Sequence, residues 1–217
     1  LVLMILVGAF FWYVSDYYKA DAIALNVLSQ DNIVQKDNIT VLSPDTPSDT
    51  AMIFYPGAKV EAETYLPLLD KIRDDTHITC ILVDMPFHLA IFDTNAAKDI
   101  ISEFPDIQNW YMADHSMGGA MASQFASKNE KEIKGLILMG TYIYGNYPLA
   151  HTLTIYGTLD GLAAEDINYT TNTVPIEGGN HAQFGNYGQQ KGDFPATITA
   201  KQQQEQTVKA IDAFINK

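Results

Sequence analysis

From residue 51 onward, short unbroken apolar runs alternate with stretches whose apolar residues recur at helical spacing. "AMIFY", "HITCILVD", "NWYMA", "KGLILMG", "LTIYG" and "TVPIE" read as strands. Between them, "EAETYLPLLDKIRDD", "NAAKDIISEF" and "GGAMASQFASKN" read as helices, and "QEQTVKAIDAFINK" closes the chain as another. A strand with one wet face alternates apolar and polar residues; a continuous apolar run implies burial on both faces. Parallel strands need crossover segments, and the helical stretches supply them. The pattern predicts an α/β fold with a mostly parallel central sheet and helices on both faces. In such a sheet, chemistry gathers at the carboxyl ends of the strands.

A chain of 217 residues holds one such domain, placed at 37–217, after an apolar segment at 1–14 and a helical lead-in at 15–36. "NITVLS" is read as a strand at its start. The formal net charge is −13 and Arg73 is the only arginine, which excludes a nucleic-acid partner and argues against an anionic membrane surface. Cys80 is the only cysteine, so an intrachain disulfide and a Cys-rich zinc site are excluded; in "ITCILVD" it reads as a core residue.

"LVLMILVGAFFWYV" carries no charge over fourteen residues. It is shorter than the roughly 20 residues that span a bilayer, yet it matches the apolar part of a signal peptide or signal anchor. Trp12, Tyr13, Tyr17 and Tyr18 suit a membrane-interface belt. The expectation is an extracytoplasmic chain, membrane-anchored or secreted. The alternative is a cytoplasmic chain whose N-terminal helix packs on its own domain or on a neighbouring chain.

"DHSMGG" follows "NWYMA" directly and opens the next helix. A serine on a sharp strand-to-helix turn lifts its hydroxyl clear of the sheet, and small residues around it avoid clashes. Gly118 and Gly119 fit that need, whereas Asp114 stands where the usual pattern has glycine. Its carboxyl must point away from the tight packing or hydrogen-bond locally. Serine is a weak nucleophile without a base. Among the histidines, His181 in "GGNHAQFG" lies in a glycine-rich loop after the last strand. Asp160 in "YGTLDG" follows the preceding strand and suits the carboxylate that orients the base. The resulting chain order is Ser116, Asp160, His181. The Met117 N–H, with that of Ala58 or Lys59 from "FYPGAKV", suits an oxyanion hole.

With "DMPFHLAIF", these motifs make the chain resemble the α/β-hydrolase superfamily over roughly residues 50–217. More narrowly, it looks like the compact group related to dienelactone hydrolases and small bacterial esterases. The resemblance implies serine hydrolysis of carboxylic esters without a metal or organic cofactor. Serine replaces the cysteine nucleophile of dienelactone hydrolases. The stretch between "LILMG" and "LTIYG" is too short for a cap domain, so an open site and short acyl chains are expected. Lys59, Met85, Phe87, His88, Tyr142 and Phe184 are the expected pocket residues. A thioesterase or acyltransferase with the same three residues, and a catalytically weak binding protein, are the alternatives.

Overall fold

The computed structural model describes residues 2–217. Its strands are β1 (Ile33–Lys36), β2 (Ile39–Leu42), β3 (Thr50–Tyr55), β4 (Thr79–Val83), β5 (Asn109–His115), β6 (Ile133–Met139), β7 (Thr152–Gly157) and β8 (Thr173–Ile176). Its α-helices are α1 (Val2–Ser15), α2 (Ala22–Val27), α3 (Leu66–Thr76), α4 (Ala96–Glu103), α5 (Gly118–Lys128) and α6 (Ala200–Ile215). The strands form one eight-stranded sheet in the order β1-β2-β4-β3-β5-β6-β7-β8. From β4 to β8 every pairing is parallel; β2 joins β4, and β1 joins β2, antiparallel.

The continuous apolar runs are explained by two cores. Successive residues of a strand point to opposite faces. Met52, Phe54, Tyr111 and Ala113 lie on one face, in a buried cluster with Leu68, Leu69 and Ile72 of α3 and Val208 and Ile211 of α6. Ile53, Met112, Leu136 and Leu138 lie on the other, with Ala97 and Ile100 of α4 and Ala122 and Phe125 of α5. Cys80 is buried in the first cluster. Both faces of the sheet are therefore covered, as the sequence pattern requires, and among the described residues there is no cap domain. Between β6 and β7 the chain forms only a 3-10 turn at Leu149–His151.

One part of the N-terminal reading changes. The lead-in is helical only at α2; its end, Ile33–Lys36, is strand β1, paired with β2 through a two-residue connection. Only Ile33 of β1 is buried, so the strand has almost no apolar signature, and the turn at Asp37 (φ 52°) is its main local cue. Among the described residues no helix is long and apolar enough to cross a membrane. Helix α1, at 14 residues, reaches about 21 Å against a hydrocarbon core of about 30 Å. Its C-terminal half docks on the domain: the Phe10 ring lies 5.3 Å from Phe87 and 5.8 Å from Phe92, both edge-on.

Candidate active site

Strand β5 runs straight into the turn at Ser116, and α5 starts two residues later. Ser116 takes φ 56°, a left-handed conformation that a side chain adopts only at a cost of about 1–2 kcal/mol. The turn is held by Ser116 N–H donating to Met139 O at 3.0 Å and Gly119 N–H donating to Ser116 O at 3.0 Å. Gly118 is required here: a Cβ would sit 2.5 Å from the carbonyl oxygens of both Tyr55 and Pro56.

The loops after β7 and β8 bring Asp160 and His181 together. His181 Nδ1 donates to Asp160 Oδ2 at 2.9 Å, and both side chains are buried. The other carboxylate oxygen, Asp160 Oδ1, accepts from Leu162 and Ala163 N–H, each at 2.9 Å. The carboxylate is thus fixed by its own turn before it meets the imidazole. His181 Nε2 is buried without a hydrogen-bond partner, and among the described residues none joins it to Ser116. Hydrogen bonds to a nucleophile are often loose before substrate binds.

The amide groups around Ser116 separate cleanly. Lys59 N–H donates to His88 O at 2.8 Å and is spent. The N–H groups of Met117 and Ala58 have no acceptor among the described residues. Both residues line the same cleft as Ser116, a space of about 510 Å³. Met117 also precedes the first turn of α5, where the helix dipole favours negative charge.

Of the expected pocket residues, Lys59 lines this cleft. His88 stands behind it, its ring 4.1 Å from that of Tyr17. Phe87 faces α1, and Tyr142 stacks on Tyr144 at 4.6 Å. Met85 and Phe184 are core residues, 3% and 0% exposed. Met85, two residues past the end of β4, packs in the buried cluster with Tyr55 and Val83, whereas Phe184 packs on His115 at 5.6 Å. Tyr13, Tyr17 and Tyr18, from the N-terminal segment, also line the cleft.

Three supports escaped the sequence reading. His115 Nε2 lies 3.0 Å from the His181 carbonyl, which can only accept, so Nδ1 accepts the Tyr65 hydroxyl at 2.7 Å. Tyr65 Oη in turn accepts the Gly57 N–H at 3.2 Å. This buried chain ties the loop after β3, the serine turn and the histidine loop together. Burial first, and His181 second, push the His115 pKa well below the usual histidine value, so it remains neutral. Asp193 accepts Gly161 N–H at 3.2 Å and Ala182 N–H at 2.9 Å, bridging the two loops that carry Asp160 and His181. Gln203 of α6 accepts the Asn180 N–H at 2.9 Å and donates to the Asn180 carbonyl at 2.7 Å.

Asp114 is the unusual member. It is fully buried, and neither carboxyl oxygen has a hydrogen-bond partner. Burial pushes its pKa well above the usual carboxylate range, and the nearby Met139 backbone only partly offsets this. The side chain neither leaves the packing nor bonds locally, contrary to expectation. Gly119 makes room for it: a Cβ there would lie 2.7 Å from Asp114 Oδ1 and 2.4 Å from Thr141 Cγ2.

Residues 51–205 match the profile of the alpha/beta hydrolase family. The chain belongs to that family. This hydrolase is similar in fold to an esterase from Pyrobaculum calidifontis, at 15% identity and a TM-score of 0.63 over 89% of this chain and 90% of that one. It is similar to Est1E from Butyrivibrio proteoclasticus, at 15% identity and a TM-score of 0.60 over 85% and 98% of the two chains. It also resembles the carboxylesterase CesB from Bacillus subtilis, at 8% identity and a TM-score of 0.53 over 80% and 91%. A search of curated proteins found no match.

Proposed function

We propose that this hydrolase is a serine carboxylesterase acting on short-chain carboxylic esters through an acyl-enzyme on Ser116. The observation that carries the reading is the pairing of a serine at φ 56° with a buried Asp160–His181 hydrogen bond of 2.9 Å at the same sheet edge. Because Nδ1 is engaged by Asp160, only Nε2 of His181 is left to take the serine proton. Ser116 Oγ attacks the ester carbonyl as that proton moves. The oxyanion accepts the free N–H groups of Met117 and Ala58. His181 then returns the proton to the departing alcohol, and water repeats the sequence on the acyl-enzyme. The acid, base and nucleophile are all side chains of this chain, and no metal or organic cofactor enters the scheme.

Short acyl chains fit a site with no inserted helix between β6 and β7 to cover a long one. The test is hydrolysis of p-nitrophenyl esters from acetyl to palmitoyl, with fluorophosphonate labelling and mapping of the labelled residue. Fastest turnover at acetyl to butyryl, with label on Ser116, is expected. Label elsewhere overturns the nucleophile, and faster palmitoyl turnover overturns the chain-length assignment.

We also propose a location outside the cytoplasm or on a membrane surface. The outward apolar side of α1 supports it, with Trp12 77% and Leu3 73% exposed. Recovery of the protein wholly in the cytosolic fraction overturns it.

The loops holding Asp160 and His181 should depend on Asp193. Asp193→Ala leaves the buried Ala182 N–H without an acceptor, a loss of about 1–3 kcal/mol. On the proposed mechanism, kcat for p-nitrophenyl acetate should fall about tenfold, consistent with that range, while KM changes little. Unchanged kcat means the loops hold themselves.

A further inference from the structure

The cleft beside Ser116 has one wall that comes from outside the family-matched region. Tyr13 and Tyr17 face Ser116, Met117, Ala58 and Lys59 across it. Tyr13 lies in the last turn of α1, and Tyr17 is in the strap that follows. A helix whose only buried residue is Val14 has little packing of its own to fix it. The strap is nevertheless tied on both sides. Tyr18 N–H donates to Lys59 O at 2.8 Å, and Glu61 N–H donates to Tyr18 O at 2.9 Å, an isolated parallel bridge onto the loop that carries Ala58. Lys191 N–H donates to Tyr18 Oη at 2.9 Å, and Ala20 N–H donates to the Glu61 carboxylate at 2.6 Å. Lys59 Nζ stands 4.4 Å from the Tyr13 ring centre and 3.4 Å from the Asp16 carboxylate. The Tyr17 ring is backed by His88. Tyr13 is 50% exposed, so it retains surface for a ligand to cover.

Resting on the esterase reading of this site, we propose that Tyr13 and Tyr17 are specificity-determining residues that seat a flat aromatic group of the ester. Two phenol rings offer stacking or edge contacts to such a group, and the Lys59 ammonium beside Tyr13 is attracted to a π face. A small aliphatic ester reaches Ser116 without touching this wall and gains nothing from it. The wall therefore acts on binding and leaves the chemical step alone.

The experiment compares benzyl acetate and methyl phenylacetate, isomers with the ring on the alcohol or the acyl side, against ethyl acetate. Wild type is compared with Tyr13→Ala/Tyr17→Ala. At least one aromatic ester should lose about tenfold of its kcat/KM advantage over ethyl acetate in the variant, carried by KM, with kcat for ethyl acetate within twofold. An unchanged ratio, or an equal fall in kcat for all three esters, overturns the wall. A second arm measures calorimetric binding of the same aromatic esters to Ser116→Ala with and without the tyrosines, and expects about tenfold weaker binding without them. Binding indifferent to the tyrosines also overturns the wall. Tyrosine-dependent binding in a protein whose wild type hydrolyses none of the esters keeps the wall and overturns the esterase reading.

Discussion

Ser116→Ala should lower p-nitrophenyl acetate hydrolysis by about three to six orders of magnitude and abolish fluorophosphonate labelling. The size follows from the proposed scheme, in which nucleophile and base work as a unit: without the hydroxyl, the Asp160–His181 pair has no proton to take. Stability separates the chemical role of this residue from its conformational one. Alanine at φ 56° keeps the backbone cost, so its melting temperature should stay near that of the wild type. Ser116→Gly removes that cost and should lose the same activity while gaining about 1 kcal/mol of stability. Activity retained in either variant rejects Ser116 as nucleophile. Equal stability of the two variants rejects the strained turn.

Asp114→Ala should make the protein more stable, and more so as pH rises. The folded state raises the Asp114 pKa, chiefly through burial, and leaves both oxygens unpartnered. A raised folded pKa means that its contribution is fully present below the unfolded value of about 3.9 and is lost as pH climbs through the folded value. The wild type should therefore lose stability from about pH 4 upward, and the alanine variant should lack that slope. By pH 8 the variant should lead by about 1–3 kcal/mol, the cost of a buried unsatisfied polar group. For a chain of this size that is several degrees in Tm, at about 2–4 °C per kcal/mol. Melting curves at pH 5 and pH 8 decide it. A lower Tm, or a gain that is the same at both pH values, shows that the carboxyl is supported in a way its surroundings do not reveal.

Strands β3 to β7 could be read because each is mostly buried on both sides, so its run is dominated by apolar residues. The serine turn and Asp160 could be picked out because each follows such a run within a few residues, and His181 because it sits in a glycine-rich loop after the last strand. Strand β1 could not, since a short edge strand with one buried residue carries no such run. Met85 and Phe184 misled because an aromatic or thioether near a strand end suits a pocket lining and a core equally well. Tyr65, His115 and Asp193 left no local trace: Tyr65 and His115 are 50 residues apart, and a lone aspartate in "QKGDF" reads as a turn. Tyr13 and Tyr17 stood out only as candidates for a membrane-interface belt. That they face the cleft depends on a strap whose partners lie at residues 59–61 and 191.

That strap sets an order of assembly. Tyr18 reaches its Lys191 partner, and Asp21 its partner at Asn186 (3.0 Å), only after synthesis has passed residue 191. Until residues 59–92 have been made and folded, the apolar α1 lacks the Lys59, Phe87 and Phe92 surface it rests on, and it is exposed on a growing chain. Contacts of such long sequence separation form slowly, and uncovered apolar segments invite aggregation meanwhile. The wall of the cleft is thus made well before the last of the contacts that seat it, so a holding factor at the exit tunnel, or an insertion machinery that captures the helix, would act on the part that later borders the cleft.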